Sequence, residues 1–337
     1  FLVEDYERIK NKNRVVEQQL GNSSNDNKKK EYISQILFTS GSTGKPKGVV
    51  LTHNSMIHNL IGLINTINFD RKNKNFLSIT PLYHNNGQFI PTLLPFFIGG
   101  KTFSIPPGTS LVNFWPVCEK LKINYCSVMA THINFFNTLK PRKNHSLKNL
   151  FCGGAKLDER SQLKFEKNFN VKILCNYGLT ETSSIACTES NIKNMSKCGS
   201  VGKPLINNQI KILKEKSQKY GEILIRGKNI FKEYLKEYKL TKNVKKNGWF
   251  HTGDLGYIDQ KGFVYIKDRI DNMIIVSGEN IYPSEIENLI YEFKKISLGV
   301  VTSIPDKITQ NKLVLIYESK KILKKEEIVK FLSNKLT

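Results

Sequence analysis

Strand-like and helix-like segments alternate between residues 33 and 178, and this alternation constrains the fold more than any other feature. Short apolar segments bounded by Gly, Pro or polar residues predict strands, and apolar residues at helical spacing predict helices. The predicted strands are ISQILFTS (33–40), VVLTH (49–53), FLSITPLYH (76–84), NYCSVMA (124–130), NLFCGGA (149–155) and VKILCNYG (171–178). Helices are predicted at 56–67, 111–121, 131–139 and 157–169. The alternation predicts an α/β fold of layered sheets with parallel strand pairing.

The pattern changes after about residue 198, where short strands joined by turns predict a β-rich subdomain. A charged break, DRID (268–271), follows it, and a second, small α+β domain is predicted from about residue 270 onward. This domain is expected to contain two strands with a helix between them, then another strand and a helix. Ser284 and Glu287 have the spacing of a capping box, which predicts that the first of these helices begins at Ser284.

The net charge of +23 raises the question of a nucleic-acid partner, but only seven of the 52 basic residues are arginines. Because lysines spread along the chain are typical of a charged surface, we expect no nucleic-acid binding, only attraction of anionic ligands such as nucleotides. Six cysteines show no metal-binding spacing, so ordinary buried thiols and a cytoplasmic location are expected. No apolar run is long enough to predict a transmembrane segment. The oligomeric state is not predicted.

Residues 39–48, TSGSTGKPKG, have the composition of a phosphate-binding loop but do not fit the Walker A pattern. With Gly44 and Lys45 in the Gly-Lys positions, the first glycine falls at Thr39 and the Ser/Thr position at Pro46. Proline has no hydroxyl for Mg²⁺, and a strand rather than a helix is predicted to follow. Two interpretations remain from the loop alone: a ligand-free hairpin, or a phosphate-binding nest between two strands.

Continued as TSGSTGKPKGVVLTH, this loop resembles the signature of the adenylate-forming enzymes, which include acyl-CoA synthetases, luciferases and peptide-synthetase adenylation domains. Further segments resemble motifs of that family in the same order: PLYHNNG (81–87), NYGLTET (176–182), GWFHTGDLGYID (248–259) and DRIDNMIIVSGENIYPSEIE (268–287). The resemblance implies an N-terminal AMP-binding domain over 1–267 with its β-rich subdomain at about 199–267. It also implies a hinge at 268–271 and a mobile C-terminal domain over 272–337.

The resemblance assigns the loop to the β- and γ-phosphates of ATP. The residues implied there are Thr39, Ser40, Gly41, Ser42, Thr43, Gly44, Lys45, Lys47 and Gly48. A second group would lie against the adenine or the acyl group, with Tyr177 stacked on the base. Its members are Gly153, Gly154, Ala155, Asn176, Tyr177 and Gly178.

Further roles are implied for single residues of the matching motifs. Thr180 would contact phosphate and Glu181 would hold Mg²⁺, while His84 would gate the acyl group. Asp254 would accept hydrogen bonds from both ribose hydroxyls, with Arg269 contacting ribose or phosphate, Asp271 acting as the hinge and Gly278 lining a CoA tunnel. Without the resemblance, the same residues have ordinary interpretations: a core tyrosine at 177, a solvated turn at 181, a turn at 254, a surface ion pair at 269 and a packed histidine at 84.

The reaction implied is the ATP- and Mg²⁺-dependent activation of a small-molecule carboxylic acid to an acyl-adenylate, followed by transfer to CoA. Fatty acids and related carboxylates are the expected substrate range, aliphatic and aryl acids are both permitted, and the particular acid is not predicted. Because PLYHNNG contains no acidic residue to bind an α-amino group, a CoA ligase is favoured over an amino-acid-activating enzyme. Two alternatives stay open: an adenylation domain that loads a carrier protein, and a catalytically weak nucleotide-binding homologue.

The chain departs from the family pattern at both ends. It begins inside the usual N-terminal domain, and it lacks the P-x-x-x-x-G-K motif whose lysine bridges the carboxylate and the α-phosphate in the family. We therefore expect a fragment that adenylates poorly on its own.

Overall fold

The computed structural model describes residues 31–335 except for 40–45, 71, 106–110, 193–195 and 216–218. The chain divides into two compact units. The first comprises the residues up to Ile210 together with Ile225–Phe250 and Gln260–Val264. The second comprises Lys211–Leu224, His251–Asp259 and Tyr265–Thr337. The domain boundaries that the sequence predicts at residues 267 and 271 stay a prediction.

A largely parallel sheet forms the centre of the first unit. Its strands are β3 (Asn75–Ser78), β4 (Lys101–Ser104), β5 (Tyr125–Val128), β6 (Asn149–Cys152), β7 (Lys172–Tyr177), β8 (Cys187–Thr188) and β9 (Lys203–Pro204). They lie in the order β4-β3-β5-β6-β7-β8-β9. Pairing is parallel from β4 to β7 and antiparallel from β7 to β9. The prediction of parallel pairing between 76 and 178 is confirmed.

Helices connect the strands of the first unit. They are α1 (His53–Thr66), α2 (Asn85–Gln88), α3 (Leu94–Phe97), α4 (Phe114–Lys120), α5 (Ala130–Phe136), α6 (Glu159–Phe169) and α7 (Tyr238–Val244), with one π-helical turn at Phe89–Leu93. The four helices predicted from the sequence correspond to α1, α4, α5 and α6. Across the described residues, no helix is both long enough and apolar enough to cross a membrane.

Both faces of the parallel sheet are buried, because successive side chains of a strand point to opposite faces. In β6, Leu150 and Cys152 pack in one core with Trp115 and residues of α5 and α6. Phe151, between them in sequence, packs in the opposite core with residues of α1. The near-continuous apolar strands of the sequence are thus explained by burial on two sides.

A smaller antiparallel sheet contains the strands on either side of the glycine-rich loop. β1 (Ile33–Thr39) pairs with β2 (Lys47–Thr52), and β12 (Glu233–Tyr234) pairs with the other edge of β2. The two strands predicted on either side of the loop are therefore confirmed. The predicted phosphate-binding residues Ser40, Gly41, Ser42, Thr43, Gly44 and Lys45 lie outside the described residues.

The remaining elements continue the chain as a series of strands with two further helices. The strands are β10 (Gln209–Leu213), β11 (Gly221–Arg226), β13 (Lys245–Lys246), β14 (Trp249–Ile258), β15 (Val264–Arg269), β16 (Ile274–Val276), β17 (Glu279–Ile281), β18 (Ile296–Asp306) and β19 (Gln310–Ser319). β10, β11 and β14 are neighbours in one sheet, and β15 pairs with β14, which precedes it in the chain. β16 with β17 and β18 with β19 form two-stranded antiparallel ribbons.

The helices of the second unit are α8 (Pro283–Ile290) and α9 (Lys325–Ser333). The capping box predicted at Ser284 and Glu287 is wrong, because α8 begins at Pro283 with Tyr282 as its N-cap. The Ser284 hydroxyl instead donates to the carbonyl of Lys267, and the Glu287 carboxylate accepts from the Val301 N–H. Both side chains bond to segments distant in sequence rather than to their own helix.

Helix α1 is fixed to the turn that follows β7 by one fully buried side chain. The amide of Asn59 donates to the carbonyls of Thr182 and Ile185, and its oxygen accepts from the Ile185 N–H at 3.3 Å. A single carboxamide thus satisfies both backbone groups of Ile185. Because buried backbone groups need partners, this contact fixes the position of the turn relative to α1.

Replacement of Asn59 by leucine is expected to lower the free energy of unfolding by about 2–4 kcal/mol, because two buried backbone groups lose their partner. Urea unfolding at equilibrium measures this change. The matched control is Asn54→Ala, an exposed position on the same helix, which is expected to stay within about 0.5 kcal/mol of the wild type. Equal losses in the two variants would contradict the role of Asn59.

Candidate active site

Four neighbouring strands of the parallel sheet, β3, β5, β6 and β7, end at the same edge. In open parallel sheets this carboxyl edge is where ligands bind. The segments that follow the strands are joined there by polar contacts. The Ser127 hydroxyl of β5 donates to the side-chain oxygen of Asn86 at 2.7 Å, and the Gly153 N–H donates to the carbonyl of Val128. The motifs PLYHNNG and NYGLTET and the predicted residues Gly153 and Gly154 thus come to one edge.

Glycines at this edge serve different purposes. A β-carbon at Gly178 would lie 1.7 Å from the carbonyl oxygen of Ser184, so this glycine is required by the backbone of the chain itself. A β-carbon at Gly153 would lie 2.1 Å from the side-chain oxygen of Asn176. Gly154 has φ +82°, and no atom of the described residues lies within 4 Å of its β-carbon position. It is exposed together with Ala155. Open space for a ligand therefore lies at Gly154, not at Gly178.

The turn after β7 contains the predicted phosphate and metal residues. Thr180–Thr182 form one turn of 3₁₀-helix that follows Tyr177, a partly buried residue at the end of β7. Asn229 donates to the carbonyl of Thr182 at 3.0 Å and, through its own carbonyl, accepts from the Ser183 hydroxyl at 2.8 Å. Glu181 is consequently held on a turn whose backbone is bonded to segments far away in sequence.

Glu181 is buried and makes one side-chain hydrogen bond, accepted by Oε1 from the hydroxyl of Tyr234 at 2.7 Å. Its Oε2 accepts none from a described residue, so one carboxylate oxygen remains for a hard cation such as Mg²⁺. Within the described ranges, no group of three or more His, Cys, Asp or Glu could hold a metal. A single carboxylate is the usual protein contribution where Mg²⁺ is bound mainly through substrate phosphates, and the residues present fit that ion.

Lys47 and Glu181 meet at the same tyrosine. Lys47 Nζ lies 5.6 Å from the centroid of the Tyr234 ring, within the range of a cation–π contact. At the other end of the loop, Thr39 pairs with Lys47 across the β1–β2 ladder. Gly48 is enclosed, since a β-carbon there would lie 3.2 Å from Ile36 and Leu235. Lys47, at the base of the glycine-rich loop, and the predicted metal residue are therefore adjacent.

The segment predicted at the acyl group follows β3. His84 is exposed, with its ring centroid 4.6 Å from that of Tyr83. Its neighbour Asn85 is only 8% exposed, and both polar atoms of its side chain are buried without a partner among the described residues. Thr80 is 7% exposed, and its buried hydroxyl also has no hydrogen-bond partner among the described residues. Such groups are costly to bury unless something pairs with them.

In the second unit, Asp254 and Arg269 form an ion pair at 3.3 Å. Asp254 is 6% exposed, and its N–H donates to the hydroxyl of Thr252. The carboxylate of Glu222 accepts from the Gly253 N–H and contacts His251 Nδ1 at 2.8 Å, which fixes the backbone before Asp254. Arg269 thus makes an ion pair, as its alternative interpretation expected. The ion pair orients Asp254, the carboxylate that is predicted to bind ribose.

The other two predicted residues of the second unit are exposed. Asp271 lies in a 3₁₀ turn, Ile270–Asn272, directly after β15. Gly278 has φ +85° in the tight turn between β16 and β17, a conformation that glycine adopts without strain. Their roles as hinge and tunnel residue stay predictions.

Thiols near the carboxyl edge are poor candidates for a nucleophile. Burial raises the pKa of Cys152, at the end of β6, to about 12, and burial also raises the pKa of Cys175 on β7. A thiol is reactive only as the thiolate, so both are inert near neutral pH.

Sequence reasoning missed three residues of this arrangement: Tyr234, Glu222 and Asn59. The acidic side chain of Glu222 in the otherwise apolar strand GEILI was a usable signal. Tyr234 and Asn59 act through partners 53 or more positions away, and no local pattern points to such contacts.

The chain is similar to known proteins in both sequence and fold. A 2-succinylbenzoate–CoA ligase of Staphylococcus aureus (strain JH9) is 32% identical over 304 residues, which cover 90% of this chain and 61% of the relative. The Bacillus subtilis o-succinylbenzoate CoA synthetase in complex with the acyl-adenylate OSB-AMP superposes with a TM-score of 0.82 at 26% identity, covering 90% of this chain and 62% of that one. Its complex with ATP and magnesium ion gives a TM-score of 0.80 at 27% identity, with 90% and 63% covered.

The chain thus spans about three fifths of the length of these relatives. The profile of the AMP-binding enzymes matches residues 3–235, which is more than half of the sequence. The resemblance to adenylate-forming enzymes is confirmed, and the chain belongs to the AMP-binding enzyme family.

Proposed function

We propose that this protein activates a carboxylic acid with ATP and transfers the acyl group to CoA. A carboxylate oxygen attacks the α-phosphorus of ATP, and the bond to the β-phosphate oxygen breaks with release of pyrophosphate. The thiol of CoA, as thiolate, then attacks the acyl carbon of the adenylate and expels AMP. The observation that carries the proposal is the convergence of Lys47 and Glu181 on Tyr234 at the base of the glycine-rich loop.

This arrangement suits a reaction in which an anion attacks a polyanion. Lys47 would neutralise phosphate charge as it develops on the leaving pyrophosphate, and Thr180 would donate to a phosphate oxygen. Bound Mg²⁺ would supply further charge neutralisation, and Glu181 is the residue that would hold it. Tyr177 would stack on the adenine, and Asp254 would accept from the ribose hydroxyls. A cytoplasmic setting is in keeping with the six unpaired cysteines.

The function is tested by pyrophosphate exchange into ATP with a panel of carboxylic acids, 2-succinylbenzoate first, followed by a comparison of acceptors. We expect exchange to depend on one class of acid and the adenylate to be consumed by CoA. If the chain alone is too slow, the same exchange is measured after adding a C-terminal segment from a relative. Consumption by a carrier protein but not by CoA would identify the rival adenylation domain. Absence of exchange with every acid would favour a nucleotide-binding homologue.

Asp254→Asn is expected to weaken AMP binding about 10- to 100-fold, because a hydrogen bond to a charged group contributes about 1.5–3 kcal/mol. Calorimetric titration with AMP measures the loss. In the wild type, removal of the 2′-hydroxyl from AMP should weaken binding, whereas the variant should hardly distinguish the two nucleotides. Asp259→Asn, on the segment after the same strand, is the control and should behave as the wild type. Full ribose discrimination by Asp254→Asn would contradict the assignment.

We further propose that the acid carries a second polar group that pairs with Asn85. The side-chain amide of Asn85 and the hydroxyl of Thr80 have no partner among the described residues. Both lie in the segment after β3, next to which the proposed reaction would put the acyl group. A plain fatty acid offers them no hydrogen bond, whereas a ketone or second carboxylate does. The named substrate of the relatives, 2-succinylbenzoate, contains both groups.

Two acyl-sulfamoyladenosines that differ only in a ketone or a methylene test this proposal. The wild type should bind the ketone at least about tenfold more tightly, and Asn85→Leu should lose that preference while its melting temperature is unchanged or raised. Asn144→Leu, at an exposed position, is the control. A preference retained by Asn85→Leu would make Asn85 a packing residue only.

A further inference from the structure

We infer that Tyr234 is a positioning residue that couples the phosphate loop to the metal-binding carboxylate. This inference rests on the proposed function, since it assigns Tyr234 a role towards ATP and Mg²⁺. It goes beyond that function because Tyr234 lies outside every motif that suggested the activity. The residue itself is placed in contact with neither phosphate nor metal; it acts through Glu181 and Lys47.

The side chains of Tyr234 and Glu181 are in direct contact. The hydroxyl of Tyr234 donates to Glu181 Oε1 at 2.7 Å, and both residues are more than nine-tenths buried. A hydrogen bond to a carboxylate is stronger than one between neutral groups, and it fixes which oxygen is turned inward. Oε2 is thereby left for a cation. Partners that orient a ligand in this way are a regular part of metal sites.

The backbone of the segment that carries Tyr234 bonds to both β2 and the turn of Glu181. On one side, β12 pairs with β2, and the Leu235 N–H donates to the carbonyl of Gly48 at 2.7 Å. On the other side, the Phe231 N–H donates to the carbonyl of Glu181 at 2.7 Å. Five residues of chain therefore connect the strand that leaves the phosphate loop with the turn that carries Glu181.

The segment that carries Tyr234 is itself held in place by Thr241 of α7 and Lys245 of β13. The ammonium of Lys245 donates to the carbonyl of Phe231 at 2.9 Å, and burial lowers the pKa of this lysine. The Tyr234 N–H donates to the hydroxyl of Thr241 at 2.9 Å. The Tyr234 ring also contacts the ring of Phe231, with 4.7 Å between the centroids, and the ammonium of Lys47. Because backbone and ring are both held, the hydroxyl of Tyr234 has a defined direction.

Tyr234→Phe removes the hydroxyl and keeps the ring, so it separates positioning from packing. We expect the affinity of ATP to lose most of its dependence on Mg²⁺, with the metal bound about 10- to 100-fold more weakly, as for other residues that orient a metal ligand. Binding of AMP without Mg²⁺ should stay within about twofold of the wild type, a change of less than 0.5 kcal/mol. Both quantities are measured by calorimetric titration of the 337-residue chain.

Two further variants make the outcome decisive. Tyr125→Phe removes another buried tyrosine hydroxyl, one that accepts from the Asp70 N–H, and it should leave the Mg²⁺ dependence unchanged. In a double-mutant cycle, Tyr234→Phe should add little to Glu181→Gln, because the tyrosine acts through that carboxylate. Additive effects, or equal weakening of ATP and metal-free AMP, would overturn the inference. Failure of the wild type to bind either nucleotide would instead overturn the proposed function, and this role with it.

Discussion

Parallel pairing of β3, β5, β6 and β7 is the constraint on which the rest of the first unit depends. Parallel neighbours must be joined by crossovers, so each strand ends at the same edge and the chain returns through helices on the two faces. Alternate side chains then supply two separate cores, as Phe151 and its neighbours in β6 do. The candidate active site is a consequence of this geometry, because residues distant in sequence follow strands that end side by side.

The turn after β7 is stabilised differently from the strands that present it. Most of its residues are buried and polar. The carbonyl of Thr182 and both backbone groups of Ile185 pair with the side chains of Asn59 and Asn229 rather than with a ladder. A hydrogen bond adds only modestly to the stability of the fold when it is made, but a buried group that loses its partner lowers that stability markedly. Such a network therefore tolerates few arrangements of its side chains. A turn specified in this way can hold Glu181 in one position without a ligand.

Local patterns predicted the elements of the fold well, and long-range contacts explain where prediction failed. Most strands and the four longer helices between 33 and 178 follow from apolar periodicity, whereas β4 and the short helices α2 and α3 were not predicted. The strand after TSGSTGKPKG follows from VVLT and the absence of a Walker pattern. At Ser284 and Glu287 the spacing of a capping box was present, but Lys267 and Val301 supplied better partners. Tyr234 was missed for the same reason, since its role depends on a residue 53 positions earlier.

Gly178 and Gly154, both predicted to lie against a ligand, differ in what surrounds them. At Gly178 the backbone of Ser184 already excludes any side chain, so the glycine would be needed even in a chain that bound no nucleotide. Gly154 has a left-handed φ and open space where a side chain would point, and no part of the described chain demands that space. The left-handed φ is itself a reason for glycine at this position, and the open space leaves its backbone accessible. Both glycines were predicted to lie against the ligand, and only the packing around them separates the glycine that the fold itself requires from the one with open space beside it.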